Sequence, residues 1–124
     1  PRERIRFRNL LVELSKERIV IFSTHIIEDV ASSCKKVAVM KKGEVRYIGA
    51  PIHMAKIAEG KIWMISVPAD EFEKMKDKYV IIHHMKDGDN IKARCLADEA
   101  PTEDSKQVKA NLEDAYLYLL NKEQ

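Results

Sequence analysis

Residues 19–25 combine the pattern of a buried strand with a side chain suited to acid–base or phosphate chemistry. They read Ile-Val-Ile-Phe-Ser-Thr-His. Four consecutive large apolar residues are typical of a strand in a parallel sheet, which is covered on both faces. Because ligands of open α/β sheets bind beyond the carboxyl ends of such strands, a strand at 18–23 would place His25 near a ligand. The alternative is a strand-end histidine with only local hydrogen bonds. Ser23 and Thr24 are predicted mainly to end the strand and cap the next helix.

A helix is predicted over residues 2–17, ahead of that strand. Pro1 suits a first helical turn, and apolar residues recur at helical spacing at positions 5, 10, 11 and 14. Arginines at positions 2, 4, 6 and 8 lie where the helix dipole disfavours positive charge. Since such a helix usually has acidic residues upstream, we expect the chain to begin inside a larger protein.

Residues 26–60 are predicted to form a short helix, a β-hairpin and another helix. The first helix covers about 26–34, with Glu28 and Asp29 in its first turn, where the dipole favours them. The hairpin joins strands at 37–40 and 45–48 through a bulged, glycine-containing turn. Alternating helices and strands indicate an α/β fold. With one buried parallel strand, residues 1–60 are expected to be the last part of a domain.

Charge divides the chain into two segments at Ala58-Glu59-Gly60. Residues 1–60 carry 12 Lys+Arg against 7 Asp+Glu, a net of +5, and residues 61–124 carry 10 against 13, a net of −3. The total of +2 is too small to indicate a nucleic-acid partner. No apolar run is long enough for a membrane span. Cys34 and Cys95 match no metal or redox spacing, which predicts two free thiols in a reducing cytosol.

Residues 61–124 are predicted to form a small antiparallel α+β domain, in part ferredoxin-like. The expected order is strand 62–67, helix 70–77, strands 79–85 and 91–96 around a turn at 87–90, an acidic loop at 98–105 and a helix at 112–120. Asn111 is predicted as the N-cap of the last helix, with Asp114 completing an imperfect capping box.

Four groups of residues in this second segment are candidates for a binding site. They are the pair His83 and His84, the acidic set Asp98, Glu99, Glu103 and Asp104, the segment Asp87-Gly88-Asp89, and the stripe of Tyr116 and Tyr118 with Leu112, Leu119 and Leu120. Asp87-Gly88-Asp89 fits a hairpin turn better than an ion site. Adjacent strand residues point to opposite faces, so the histidines cannot easily share one metal ion. The acidic set lacks the pattern of a calcium loop, and the stripe fits a core or an interface. No metal site is therefore predicted.

Several segments together resemble the ATP-binding subunits of ABC transporters. Residues 22–30, Phe-Ser-Thr-His-Ile-Ile-Glu-Asp-Val, resemble the switch-histidine (H-loop) segment, and Pro1-Arg2-Glu3 resembles the segment directly after the D-loop. The hairpin at 39–45 and Gly49-Ala50-Pro51 resemble the hairpin beyond that histidine. Residues 111–119 are similar to the carboxyl-terminal signature of subunits that serve ABC-2-type exporters. The resemblance covers residues 1–60 closely and 110–120 in part.

The resemblance implies the C-terminal part of a P-loop NTPase (ABC ATPase) lobe at 1–60 and an accessory domain, for dimerisation or regulation, at 61–124. It implies that His25 contacts the γ-phosphate of ATP and helps orient the attacking water, with ATP and Mg²⁺ bound by the full-length protein. It also implies a second ATP-binding subunit, as a homodimer, a separate membrane permease for export, and a position at the cytoplasmic face of the membrane.

The sequence also departs from this family. It contains no Gly-x-x-x-x-Gly-Lys-[Ser/Thr] loop to hold phosphate, and no signature loop, glutamine loop or Walker B strand. This chain alone is therefore expected to bind no cofactor and to be inactive, and its 18–23 strand to promote self-association through residues 1–60. The alternative function is a non-enzymatic ligand- or protein-binding module in residues 61–124, with a partner along a sheet edge.

The isolated chain should neither bind ATP with micromolar affinity nor hydrolyse it, because it lacks the loop of backbone amides that holds the phosphates. Isothermal titration with Mg²⁺-ATP checks the affinity, and phosphate release checks turnover. A saturable micromolar isotherm would contradict the prediction.

Overall fold

The computed structural model describes residues 2–16, 21, 24 and 26–121, without the side chains of Glu28 and Asp29. It divides the chain into two compact units, Pro1–Met54 and Ala55–Gln124. The domain boundary drawn at residue 60 from the sequence stays a prediction. The strand predicted at 18–23 lies outside the described residues except for Ile21, which is not in a strand and is 90% exposed, so the burial predicted for this position is not observed.

The first unit contains two helices followed by a β-hairpin. Its elements are α1 (Arg2–Leu14), α2 (Ile27–Ser33), β1 (Val37–Lys41) and β2 (Glu44–Gly49), after which α3 (Pro51–Ala55) and a 3₁₀ turn (Lys56–Ala58) lead into the second unit. Each helix and strand predicted over 2–17 and 26–60 is therefore present, with ends shifted by a few residues.

The hairpin turn follows from two residues with positive φ. Lys42 has a φ of 52° and Gly43 a φ of 78°, the combination required by the tight turn that matches strand twist. The predicted bulge lies in the strands rather than in the turn, since the pairing shifts between Val39 and Met40. Tyr47 closes the far end of the hairpin by donating its hydroxyl to the carbonyl oxygen of Ala50 at 2.8 Å.

Most apolar side chains of the first unit are exposed. None of the 13 residues of α1, all of them described, is buried. On one face of the hairpin, Met40, Val45 and Ile48 are each more than half exposed, and Val39 is the buried residue of its strands. The described part of this unit therefore has little core of its own.

The second unit is built around a four-stranded antiparallel sheet. Its elements are β3 (Ile62–Pro68), α4 (Ala69–Lys78), β4 (Val80–Asp87), β5 (Asn90–Leu96), β6 (Lys106–Gln107) and α5 (Leu112–Asn121). The strand order is β4-β5-β3-β6. This confirms the predicted strand–helix–strand–strand–helix order and adds β6, which the sequence analysis missed.

The core lies between one face of the sheet and α4. Ile65 and Val67 of β3 and Ala93 and Cys95 of β5 are buried with Phe72 of α4. Residues opposite each other in an antiparallel pair share a face, and Ile65 lies opposite Ala93 in the register. Residues of the intervening positions therefore point to the opposite face of the sheet.

The last helix, α5, lies at one end of that opposite face. Val80 and Leu96, a register pair of β4 and β5, line a shallow depression together with Tyr118 of α5. Ala115 and Leu119 of α5 are buried. The other end of this face, beyond α5, is exposed.

These elements make a mixed fold of helices and antiparallel sheet, compatible with the predicted α/β class. The P-loop NTPase lobe and the ferredoxin-like architecture remain predictions. Within the described ranges, no helix has the length and apolar character needed to cross a bilayer.

Replacing Phe72 with alanine should lower the free energy of unfolding by ~3–5 kcal/mol, because it leaves a cavity at the centre of the core. Glu73→Ala, one position along α4 and exposed, is the matched control and should change stability by less than ~0.5 kcal/mol. Urea unfolding followed by far-ultraviolet circular dichroism measures both. Equal midpoints for the two variants would be inconsistent with the core described here.

Candidate functional site

The candidate catalytic residue, His25, lies outside the described residues, but part of its sequence neighbourhood is described. The hydroxyl oxygen of Thr24 accepts a hydrogen bond from the backbone N–H of Ile26 at 3.0 Å. Ile26 is the N-cap of α2 and has extended backbone angles. The N-cap of α2 is thus Ile26, whose side chain makes no capping hydrogen bond, and the capping role predicted for Thr24 is wrong. Ser23 lies outside the described residues.

The two adjacent histidines of β4 do not form a shared metal site. His83 lies opposite Arg94 in the register and His84 lies opposite Ala93, so the two rings point to different faces as predicted. The ring of His84 is 4.9 Å from that of Phe72, on the core side. Within the described parts of the chain, no cluster of three or more His, Cys, Asp or Glu side chains could hold a metal ion.

One residue of the predicted acidic loop has a structural role. Asp98 Oδ1 accepts a hydrogen bond from Lys61 Nζ at 2.8 Å, and this contact raises the pKa of Lys61. Lys61 Nζ also lies 6.0 Å from the centre of the Tyr118 ring. The side chain of Asp98 is 85% exposed, so the pair contributes little to stability.

Lys61 and Asp98 form the rim of a depression of about 190 Å³ between α5 and the sheet. Its floor is apolar, from Val80 and Leu96, and Tyr118 forms one wall. Of the predicted stripe of α5, Tyr118 lies beside the sheet at this depression and Leu119 is buried. The depression holds no nucleophile paired with a base, so its shape and chemistry do not indicate catalysis.

Both cysteines are free thiols, as predicted. Cys95 is fully buried in the core, and its burial raises the pKa of the thiol to about 11. Because the thiolate is the reactive form, Cys95 is chemically inert at neutral pH. Cys34 is partly exposed at the end of α2.

Arg94 and Asp114 form a largely buried ion pair that no pattern in the sequence predicted. Arg94 Nε donates to Asp114 Oδ1 at 2.9 Å, and Nη2 donates to Oδ2. Nη2 also donates to the carbonyl oxygen of Lys109 at 2.9 Å. The Asp114 side chain is completely buried and that of Arg94 is 14% exposed. The hydrogen bond to Asp114 raises the pKa of Arg94.

The same aspartate completes the predicted capping box. The backbone N–H of Asn111 donates to Asp114 Oδ2, and the backbone N–H of Asp114 donates to Asn111 Oδ1, each at 2.8 Å. These reciprocal bonds satisfy amides at the start of α5 that no helical carbonyl can reach. Asp114 is therefore a structural residue that joins α5 to β5.

Comparison with known proteins supports a region related to ABC ATPases within the chain. An uncharacterized ABC transporter ATP-binding protein of Bacillus subtilis (strain 168), YxlF, is 30% identical over 67 residues, 54% of this chain and 23% of that protein. ABC transporter A family member 11 of Dictyostelium discoideum is 35% identical over 54 residues, 44% of this chain and 6% of that protein. The chain thus spans less than a quarter of either relative. No protein-family model and no solved structure matches it.

Asp114→Ala should destabilise the second unit by ~3–5 kcal/mol, because it leaves the Arg94 guanidinium half-buried without its partner. Asp98→Ala removes an exposed partner of Lys61 and is the matched control, with a much smaller expected loss of stability because solvent screens the pair. Urea unfolding measures the difference, and amide exchange should show α5 losing protection first. A loss no larger than that of the control would argue against the network.

Proposed function

We propose that this chain forms the C-terminal part of the ATP-binding subunit of an ABC transporter, which couples ATP hydrolysis to substrate export through a separate membrane permease. The observation that carries the proposal is the similarity to two ABC transporter proteins, one of them named as an ATP-binding protein. The order of the resembling motifs along the sequence adds support, since each lies where the family has it.

In this proposal, the nucleotide and Mg²⁺ are held by other parts of the full-length subunit. The described residues do not fit that role, because they contain no phosphate-binding loop and no cluster of side chains for a metal ion. The family resemblance assigns one group of this chain, the imidazole of His25, to the γ-phosphate.

The proposed role of His25 agrees with the chemistry of phosphoryl transfer. That reaction depends mainly on positioning and on electrostatic stabilisation of the transferred group. An imidazole N–H can donate a hydrogen bond to a phosphate oxygen while the other ring nitrogen is held by a neighbour.

The remaining parts of the proposal concern partners and location. The subunit would act as a homodimer at the cytoplasmic face of the membrane, where it contacts its permease. Residues 61–124 would form an accessory domain for dimerisation or regulation. The exposed apolar side chains of the first unit, among them Met40, Val45 and Ile48, favour burial against further protein, either the rest of the lobe or a second copy.

His25→Ala in the full-length protein should reduce ATP turnover by about a hundredfold or more, because a positioned hydrogen-bonding group is lost from the reacting phosphate. His53→Ala is the matched control, since His53 is exposed on α3 and should leave turnover unchanged. Steady-state phosphate release measures turnover, and thermal unfolding confirms that both variants fold.

Wild-type turnover in the His25 variant would contradict the proposal and favour the non-enzymatic binding module. The coding sequence upstream of Pro1 gives an earlier check. A phosphate loop, a Ser-Gly-Gly signature and an apolar strand ending in Asp-Glu are expected there, and an unrelated domain would remove the nucleotide chemistry.

A further inference from the structure

The sheet of the second unit has an exposed, cationic half-face that α4 and α5 leave uncovered. The strand register sets one row of side chains across all four strands: His83 of β4, Arg94 of β5, Met64 of β3 and Lys106 of β6. Because directly opposed residues of antiparallel strands share a face, these four side chains lie side by side. They lie on the face opposite the core, since Ala93 and Ile65, their neighbours along the strands, are core residues.

A second row lies next to the first, further from α5. It consists of Met85 of β4, Lys92 of β5 and Ser66 of β3. All three are exposed, and Met85 retains 64% of its accessible surface. We refer to the residues of the two rows other than Arg94 as the cationic platform: Met64, Ser66, His83, Met85, Lys92 and Lys106. Met64 is half-buried and the other five are exposed.

The charge of the platform differs from that of the domain that carries it. In the described part of the chain, neither Lys92 nor Lys106 forms an ion pair, whereas Arg94 is already paired with Asp114. Residues 61–124 nevertheless carry 10 Lys+Arg against 13 Asp+Glu, a net of −3. The next row of the same face carries one carboxylate, that of Asp87 of β4. The positive charge is therefore confined to Lys92 and Lys106, and it would attract a short acidic segment better than a large polyanion or an anionic bilayer.

The apolar component of the platform indicates a protein ligand. Met64 and Met85 lie among the cations, and methionine is frequent at protein-binding surfaces because its flexible thioether adapts to different partners. Single-stranded nucleic acids bind on aromatic side chains that stack with the bases, and the platform contains no phenylalanine, tyrosine or tryptophan.

We propose that the cationic platform binds an acidic amphipathic segment of a partner protein. Carboxylates of the partner pair with Lys92 and Lys106, and its apolar side chains cover Met64 and Met85. The site is independent of His25 and of nucleotide chemistry. Failure of the ATPase proposal therefore leaves this one standing, and failure of this one leaves the ATPase proposal untouched.

The test uses the full chain and a synthetic amphipathic helical peptide of glutamate and leucine as the probe. Amide chemical shifts recorded during titration should change at residues 64–66, 83–85, 92–94 and 106, and little on α4. A peptide of the same pattern with lysine in place of glutamate should produce no such changes. Absence of shifts on the platform with the acidic peptide would overturn the proposal.

Two double variants with equal changes in net charge separate the platform from overall charge. Lys92→Glu with Lys106→Glu should weaken peptide binding by about tenfold or more, because like charges then face each other. Lys74→Glu with Lys78→Glu places the same charges on α4, across the sheet, and should change the affinity much less. All four lysines are exposed, and circular dichroism confirms that both variants fold. Equal weakening would overturn the proposal.

Other ligands, and a second copy of this chain, are tested as alternative occupants of the cationic platform. An oligonucleotide or an anionic phospholipid vesicle that shifts the same amides at lower concentration than the peptide would overturn the choice of a protein partner. Sedimentation showing a dimer that the Lys92/Lys106 variant dissociates would replace the partner with a second copy of this chain. A chain that stays monomeric and prefers the acidic peptide supports the proposal.

Discussion

The organisation of the second unit depends on one buried carboxylate. Asp114 accepts two hydrogen bonds from Arg94 and one from the amide of Asn111, so its charge is balanced although water cannot reach it. Arg94 belongs to β5 and Asp114 to the first turn of α5, so the contact fixes where the helix begins on the sheet. The position of α5 in turn determines how much of the sheet face opposite the core stays accessible to solvent. With α5 held over the end near Val80 and Leu96, the rows further along the strands remain accessible.

Local patterns in the sequence predicted the longer helices and strands of residues 26–121 but not β6 and not the long-range contacts. The capping box of Asn111 and Asp114 could be predicted because its residues are three apart and their backbone groups need partners. Arg94 could not be identified as a further partner, since it is 20 residues from Asp114 and only the folded sheet brings the two together. Strand β6 has two residues, too few for any periodicity, and exists through its pairing with β3. The role of His25 rests on family resemblance alone, because its position is outside the described residues.

The two units differ in how far their own residues bury apolar surface. In the described part of the first unit, the buried hydrophobic residues are Val39 and Met54, and a two-stranded hairpin alone is at best marginally stable. The second unit has a contiguous core between sheet and helix, of the kind that supports independent stability. The second unit therefore has an interior that the described part of the first unit largely lacks. The first unit thus exposes mainly apolar side chains on its hairpin, whereas the cationic platform of the second unit combines lysines with methionines.

The position of Trp63 gives the molecule an internal optical reporter. It is the single tryptophan in the sequence, and its indole Nε1 donates a hydrogen bond to the carbonyl oxygen of Ala97 at 3.0 Å. Ala97 in turn donates its N–H to the carbonyl oxygen of Lys61, so the indole is fixed where the acidic loop leaves the sheet. The emission of an indole shifts to longer wavelength as water reaches it. The fluorescence of this chain therefore reports whether Ala97, which precedes the acidic loop, keeps its hydrogen bonds to Trp63 and Lys61. A change in the loop would thus be visible in the native protein without any added label.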